Sequence, residues 1–80
     1  MRIVAEIPHP HMKITIMIWN EKYMIKMECG QYEQYYKIKK EDIGSLENVI
    51  KMIDEEFQQK VLEQFKIMSQ NFLNAWKKKA

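Results

Sequence analysis

Apolar and polar residues alternate along the first half of the chain, which is the pattern of β-strands with one buried face. Four alternating runs are separated by residues that favour turns or interrupt a sheet: Pro8 and Pro10, then Asn20, then Gly30. The alternating sets are Ile3, Ala5 and Ile7; Met12, Ile14, Ile16 and Ile18; Tyr23, Ile25, Met27 and Cys29; and Tyr32, Gln34, Tyr36 and Ile38. The residues expected to face the helix are Ile14, Ile16, Ile18, Tyr23, Ile25, Met27, Tyr36 and Ile38. The pattern predicts an antiparallel four-stranded meander.

The second half of the chain changes to helical spacing. Ser45 is expected to cap the helix, because its hydroxyl can accept from a free amide of the first turn, and no Gly or Pro follows it. Apolar residues then recur at intervals of three and four: Leu46, Val49, Ile50, Ile53, Phe57, Val61, Phe65, Met68, Phe72 and Trp76. We therefore predict a single α+β domain over residues 1–80, in which the sheet packs on one long C-terminal helix.

This predicted helix is longer than its sheet. About 33 residues would extend roughly 50 Å, whereas strands of about eight residues span about 27 Å. The apolar stripe also turns by roughly 80° between the two halves of the helix. Either the helix breaks near residues 54–57, with Asp54 capping a second helix, or its C-terminal half packs on a surface other than its own sheet.

An overhanging apolar stripe would be exposed on a monomer. We therefore predict a homodimer in which the C-terminal halves pack against each other or onto the partner's sheet. The residues assigned to this interface are Phe65, Met68, Phe72, Leu73 and Trp76. Membrane-surface binding by the same residues is disfavoured, because Gln70, Asn71 and Asn74 on the opposite side provide no cations.

Composition limits the classes of protein to consider. The 80 residues are 46% hydrophobic and 30% charged, with a net charge of +2, which is far from the basic character of a duplex-DNA binder. The single cysteine, Cys29, excludes an internal disulfide framework and favours a cytoplasmic location. We expect neither a signal peptide nor a membrane span, since the first apolar run is short and ends at Pro8.

Candidate chemistry is sparse. His9 and His11 could share a metal ion if the Pro8–His11 segment is extended, but the sequence places no third ligand beside them. Cys29 shares strand parity with apolar residues and is expected to pack as one of them. Phosphate-loop, dinucleotide-binding and nucleophile-elbow motifs are absent from the sequence. We expect no enzyme activity, no cofactor, no metal site and no small-molecule substrate.

The sheet face turned away from the helix mixes aromatic and cationic residues. Its candidate binding residues are Lys13, Met17, Trp19, Met24, Lys26, Tyr35 and Lys37. Such a face can bind single-stranded nucleic acid, with bases stacked on rings and lysines paired with phosphates. It can equally form a protein contact with an apolar centre and a charged rim, or simply be solvated.

The segment Met1–Pro10, together with Trp19–Tyr23 and Glu33–Gln34, resembles a group of small uncharacterised proteins of Bacteroides-type bacteria. The resemblance covers nearly the whole chain and implies no activity and no functional residues. Separately, the order of four strands and one helix is similar to that of PUR repeats and Whirly proteins, which bind single-stranded nucleic acid as dimers. This second similarity concerns topology alone.

The leading functional hypothesis is a non-catalytic interaction domain that forms a homodimer through the C-terminal helix, the open sheet face or both. The second hypothesis is binding of single-stranded nucleic acid on the outer sheet face.

Overall fold

The computed structural model describes residues 1–79, and it confirms the predicted order of strands and helices. Four strands are followed by two short helices and one long one. The strands are β1 (Arg2–Ile7), β2 (Lys13–Trp19), β3 (Lys22–Cys29) and β4 (Tyr32–Lys39), and the helices are α1 (Lys40–Ile43), α2 (Leu46–Met52) and α3 (Glu55–Lys79). No helix in this described part is long and apolar enough to span a bilayer.

The sheet is an antiparallel meander in the order β1-β2-β3-β4. Two-residue turns join its last three strands. Asn20 and Glu21 both have positive φ, 53° and 62°, as in a type I′ turn, whereas in the next turn only Gly30 does, at 61°. These turns fix the register, so that Ile16 pairs with Ile25 and the predicted inward residues of β2 and β3 share one face.

β1 departs from simple alternation. Its register against β2 shifts between Ile3 and Ala5, because a β-bulge inserts one extra residue there. Ala5 consequently pairs with Ile16 on the core face, while Ile3 pairs with Met17 on the opposite face and is 59% exposed. The simple alternation predicted for β1, with Ile3 on the same side as Ala5 and Ile7, was wrong for Ile3.

The hydrophobic core lies between one face of the sheet and helices α2 and α3. It contains Met12, Ile14, Ile16, Tyr23, Ile25 and Met27 from the sheet side, and Val49, Ile53, Val61 and Phe65 from the helical side. Five of these side chains are almost fully removed from water: Ile14, Ile16, Ile25, Met27 and Val49. The sheet face predicted to meet the helix is therefore the one that packs on α2 and α3.

The break between α2 and α3 explains the turning of the apolar stripe. Ile53 leaves helical geometry with φ −89° and ψ 66°, and the Asp54 carboxylate accepts the Phe57 amide at 2.9 Å. Ser45 caps α2 in the predicted way, accepting the Asn48 amide at 3.3 Å. Of the two alternatives, the structure shows the break, which falls at Ile53 and Asp54 and lets both helices face one core.

α3 runs antiparallel to β4 and passes the end of the sheet. Along it, the Phe57 ring lies 5.5 Å from that of Tyr36, and the Val61 carbonyl accepts from Gln34 at 3.2 Å. Beyond Ser69, every residue from 70 to 79 is exposed. We call residues 70–79 the overhang; at 1.5 Å per residue it projects about 15 Å from the body.

Candidate interaction surfaces

The outer sheet face carries all seven predicted binding residues of β2, β3 and β4, and no helix of the described chain covers it. Its centre is apolar and shielded: Met17 and Met24 pair directly and are 8% and 9% exposed, while Thr15 beside them is 4% exposed. The aromatic residues at its margin remain open, with Trp19 56% and Tyr35 50% exposed. A partner could therefore reach this face mainly at its two ends, one near Tyr35 and the other near Trp19.

At one end, the predicted cation and aromatic ring are held by carboxylates. Lys26 Nζ lies 3.4 Å from a Glu28 carboxylate oxygen and 5.8 Å from the centre of the Tyr35 ring. The Tyr35 hydroxyl donates to Glu33 at 2.7 Å. Lys13 also pairs with Glu28 across the strands. Negative charge therefore competes with any phosphate at this end.

These contacts raise the pKa of Lys26 and the pKa of Tyr35. The hydrogen bond to Glu28 raises the pKa of Lys26, since it favours the charged ammonium. The hydrogen bond to Glu33 raises the pKa of Tyr35, because ionisation would remove the donated proton and place two negative oxygens together. Lys26 and Tyr35 thus belong to a local polar network with Glu28 and Glu33.

At the other end, lysines surround an exposed ring. Trp19 pairs with Lys22 across β2 and β3, and Lys22 pairs with Lys39 across β3 and β4. Lys37 pairs with Met24 on the same face. We call Trp19, Lys22, Lys37 and Lys39 the basic end. Sequence analysis identified Trp19 and Lys37 but missed Lys22 and Lys39, which become neighbours only through the strand register.

The predicted dimer residues divide between the core and the overhang. Phe65 is 3% exposed and packs in the protein's own core, and Met68 is half-buried against it. Phe72, Leu73 and Trp76 are 47%, 48% and 58% exposed. The Phe72 ring lies 6.2 Å from that of Tyr32 at the sheet edge, and Lys79 Nζ lies 4.3 Å from the Trp76 ring centre. The exposed patch is therefore confined to Phe72, Leu73 and Trp76.

A groove that sequence analysis did not predict lies beside this patch. It occupies about 710 Å³ between α3 and the sheet end. We call it the α3 groove; its walls include Leu62, Phe65, Lys66 and Ser69 on the helix, and Cys29 and Tyr32 on the sheet. The sequence does contain a second line of residues at helical spacing on α3: Leu62, Lys66, Ser69, Leu73 and Trp76. Because Lys66 and Ser69 are polar, this line does not stand out as an apolar stripe.

The histidine segment forms a local turn. The His11 amide donates to His9 Nδ1 at 3.0 Å, and the two rings meet edge to face at 5.9 Å. Within residues 1–79, no three His, Cys, Asp or Glu side chains are grouped to hold a metal ion.

No protein-family model, no curated protein and no solved structure matches this chain.

Proposed function

We propose that the protein is a non-catalytic interaction domain that forms a homodimer through the overhang of α3. The observation that carries this proposal is the exposure of Phe72, Leu73 and Trp76, which are 47%, 48% and 58% exposed on a stretch of helix that lies outside the core. Large apolar side chains grouped on one surface are typical of a protein contact.

The marginal stability expected of the overhang alone supports the same conclusion. A helical end with few tertiary contacts, here the Phe72 ring against Tyr32, is marginal in water, because most helical stability in proteins comes from packing an apolar face. Residues 70–79 contain no Gly or Pro, and their cations Lys77–Lys79 favour the helix end, but these effects are small. Pairing with a second copy would supply the missing packing.

The test compares two glutamate substitutions on the same helix. Leu73→Glu places a charge in the exposed patch, whereas Ile67→Glu changes a residue that is 53% exposed on the opposite side of α3. Neither residue is in the buried core. Sedimentation velocity should show that Leu73→Glu dissociates the dimer and Ile67→Glu leaves it intact. Equal sedimentation of both variants with the unmodified protein would refute the proposal.

A second candidate function is binding of single-stranded nucleic acid at the basic end. The favouring observation is the exposed Trp19 ring opposite Lys22, which in turn pairs with Lys39, so that a stacking surface and phosphate-binding charge lie at one end of the face. Lys26 and Tyr35 are not part of this proposed nucleic-acid site, because their side chains already contact the carboxylates of Glu28 and Glu33.

The two tryptophans allow this candidate to be tested by fluorescence. In a Trp76→Phe variant, Trp19 is the one remaining tryptophan, so the tryptophan fluorescence reports on Trp19 alone. Binding of an oligonucleotide should quench it in a salt-sensitive manner, and the further change Lys22→Gln should weaken binding. Unchanged emission at low salt would eliminate the candidate without affecting the homodimer proposal.

A further inference from the structure

A second line of side chains runs along α3 beside the line that packs on the sheet. Leu62, Lys66, Ser69, Leu73 and Trp76 recur at alternating intervals of four and three residues. That repeat is the contact line of paired helices in a coiled coil. At about 100° per residue this line is turned roughly 90° from the core-facing residues. Leu62 and Ser69 at its inner end are partly buried, whereas Lys66, Leu73 and Trp76 are exposed.

The two ends of this line have complementary shapes. Its inner end, from Leu62 to Ser69, forms one wall of the α3 groove. Its outer end carries Leu73 and Trp76, which project from the overhang and are 48% and 58% exposed. A surface with a hollow at one end and a projecting ring at the other fits a copy of itself about a two-fold axis.

We propose that two copies pair antiparallel along this line, with the two-fold axis beside Asn71, so that Trp76 of each copy enters the α3 groove of the other. The inference rests on the proposed homodimer and specifies its geometry. In this register Trp76 packs over the partner's Lys66, which adds a cation–π contact, and Leu73 packs on the partner's Ser69. Each of these two pairs combines one residue from each of the two core positions of the coiled-coil repeat, as in antiparallel coiled coils.

The distribution of charge supports this register. Glu63 is the sole carboxylate between Phe57 and Lys79. It is exposed, and neither of the ion pairs formed within residues 1–79 includes it. Glu63 follows Leu62 and Lys77 follows Trp76, so both occupy the flanking position at which paired helices form interhelical salt bridges. Antiparallel pairing brings Glu63 beside the partner's Lys77, and symmetry produces the contact twice.

The register also keeps the two bodies apart. Every residue of α3 after Ser69 is exposed. With the axis beside Asn71, the partner's Ser69 lies level with Leu73, about 6 Å further along the helix. In this register the two sheets lie towards opposite ends of the paired segment. An overhang of this length is what such an arrangement requires.

Disulfide cross-linking tests the register. In a Cys29→Ser background, Ser69→Cys and Leu73→Cys chains are prepared separately, oxidised alone and oxidised as an equimolar mixture. The mixture should form the disulfide between the two variants, while each variant alone stays uncrosslinked, because identical positions are about 6 Å apart along the axis in addition to the interhelical spacing.

Two outcomes of this experiment would overturn the register. Efficient cross-linking of each variant with itself would indicate parallel pairing. An absence of cross-links in every sample, while sedimentation shows a dimer, would place the interface elsewhere and leave the homodimer proposal standing. A monomeric unmodified protein would instead overturn the homodimer proposal itself, so the two failures are distinguishable.

Charge reversal provides an independent test. Lys77→Glu and Glu63→Lys should each raise the dimer Kd about tenfold, since each variant replaces two attractive contacts by two repulsive ones. The double variant should return the Kd to within about threefold of the unmodified value. Lys78→Glu is the matched control, because it makes the same charge change one position further round the helix. Equal weakening by Lys77→Glu and Lys78→Glu, or no recovery in the double variant, would contradict the register.

Discussion

Phe65 and Phe72 lie two turns apart on one side of α3, yet Phe65 is 3% exposed and Phe72 is 47% exposed. The difference arises because the sheet ends between them. Phe65 packs among the core residues, whereas Phe72 lies outside the core, with its ring edge to face with Tyr32 and tilted against Trp76.

The two phenylalanines should therefore respond differently to truncation. Phe65→Ala should reduce the free energy of unfolding by about 3–5 kcal/mol, the usual cost of a cavity in a core. Phe72→Ala should reduce it by about 1 kcal/mol in samples diluted to the monomer, which is the value of an aromatic pair. Urea unfolding measures both. Similar losses in the dilute monomer would mean that Phe72 belongs to the core.

The Asp54 cap should control the start of α3. Asp54→Ala should cost about 1 kcal/mol, since the Phe57 amide loses its acceptor, whereas Asp54→Asn retains a side-chain oxygen and should cost much less. Thermal unfolding of the two variants checks this. A continuous α2–α3 helix would instead make Asp54→Ala neutral or stabilising, because Ala favours helix interiors.

The first tight turn stores strain at Glu21. Its φ of 62° lies in the left-handed region, which costs a residue with a Cβ about 1–2 kcal/mol. Glu21→Gly should stabilise the protein by about 0.5–1 kcal/mol, after allowing for the greater entropy of glycine in the unfolded chain. Gln31→Gly, at a position with negative φ, is the control and should destabilise the protein. Urea midpoints that move in the same direction would contradict the turn geometry.

The Tyr35–Glu33 contact should appear in alkaline titration. Because the pKa of Tyr35 is raised on folding, the native state holds this proton more tightly than the unfolded state does. The resulting stabilisation is present below about pH 10 and is lost as the pH rises through the native pKa. Glu33→Gln should lower the pKa of Tyr35, which is followed by tyrosinate absorbance, with Tyr35→Phe identifying the step. A Tyr35 step unmoved by Glu33→Gln would exclude the contact.

Much of the fold could be predicted because local pattern and tertiary structure agree. A sheet with one buried face imposes period two, so Ile14, Ile16 and Ile25 indicate their own orientation. The helix break was predictable from Asp54, whose side chain supplies a cap at the point where the stripe turns. The bulge before Ala5 was not, because one inserted residue changes the register without disturbing the alternation on either side.

The surfaces were predicted less completely, since they depend on register and on residues that are polar. Within the Lys26 and Tyr35 network, Glu28 lies two residues from Lys26 on β3 and Glu33 lies two residues from Tyr35 on β4, a spacing that is visible in the sequence. Only the pairing of Lys26 with Tyr35 depends on the register between β3 and β4. The α3 groove could not be predicted from apolar spacing, because Lys66 and Ser69, which line it, are polar. The core position of Phe65 could not be separated from the exposed position of Phe72, since both fit one helical stripe.

Sedimentation equilibrium of the unmodified protein tests the central claim most directly. The chain mass is 9.8 kDa. At tens of micromolar, the account predicts an average mass close to that of two chains, falling towards one chain on dilution. A single species of one-chain mass throughout that range would contradict the proposal that the overhang of α3 binds a second copy.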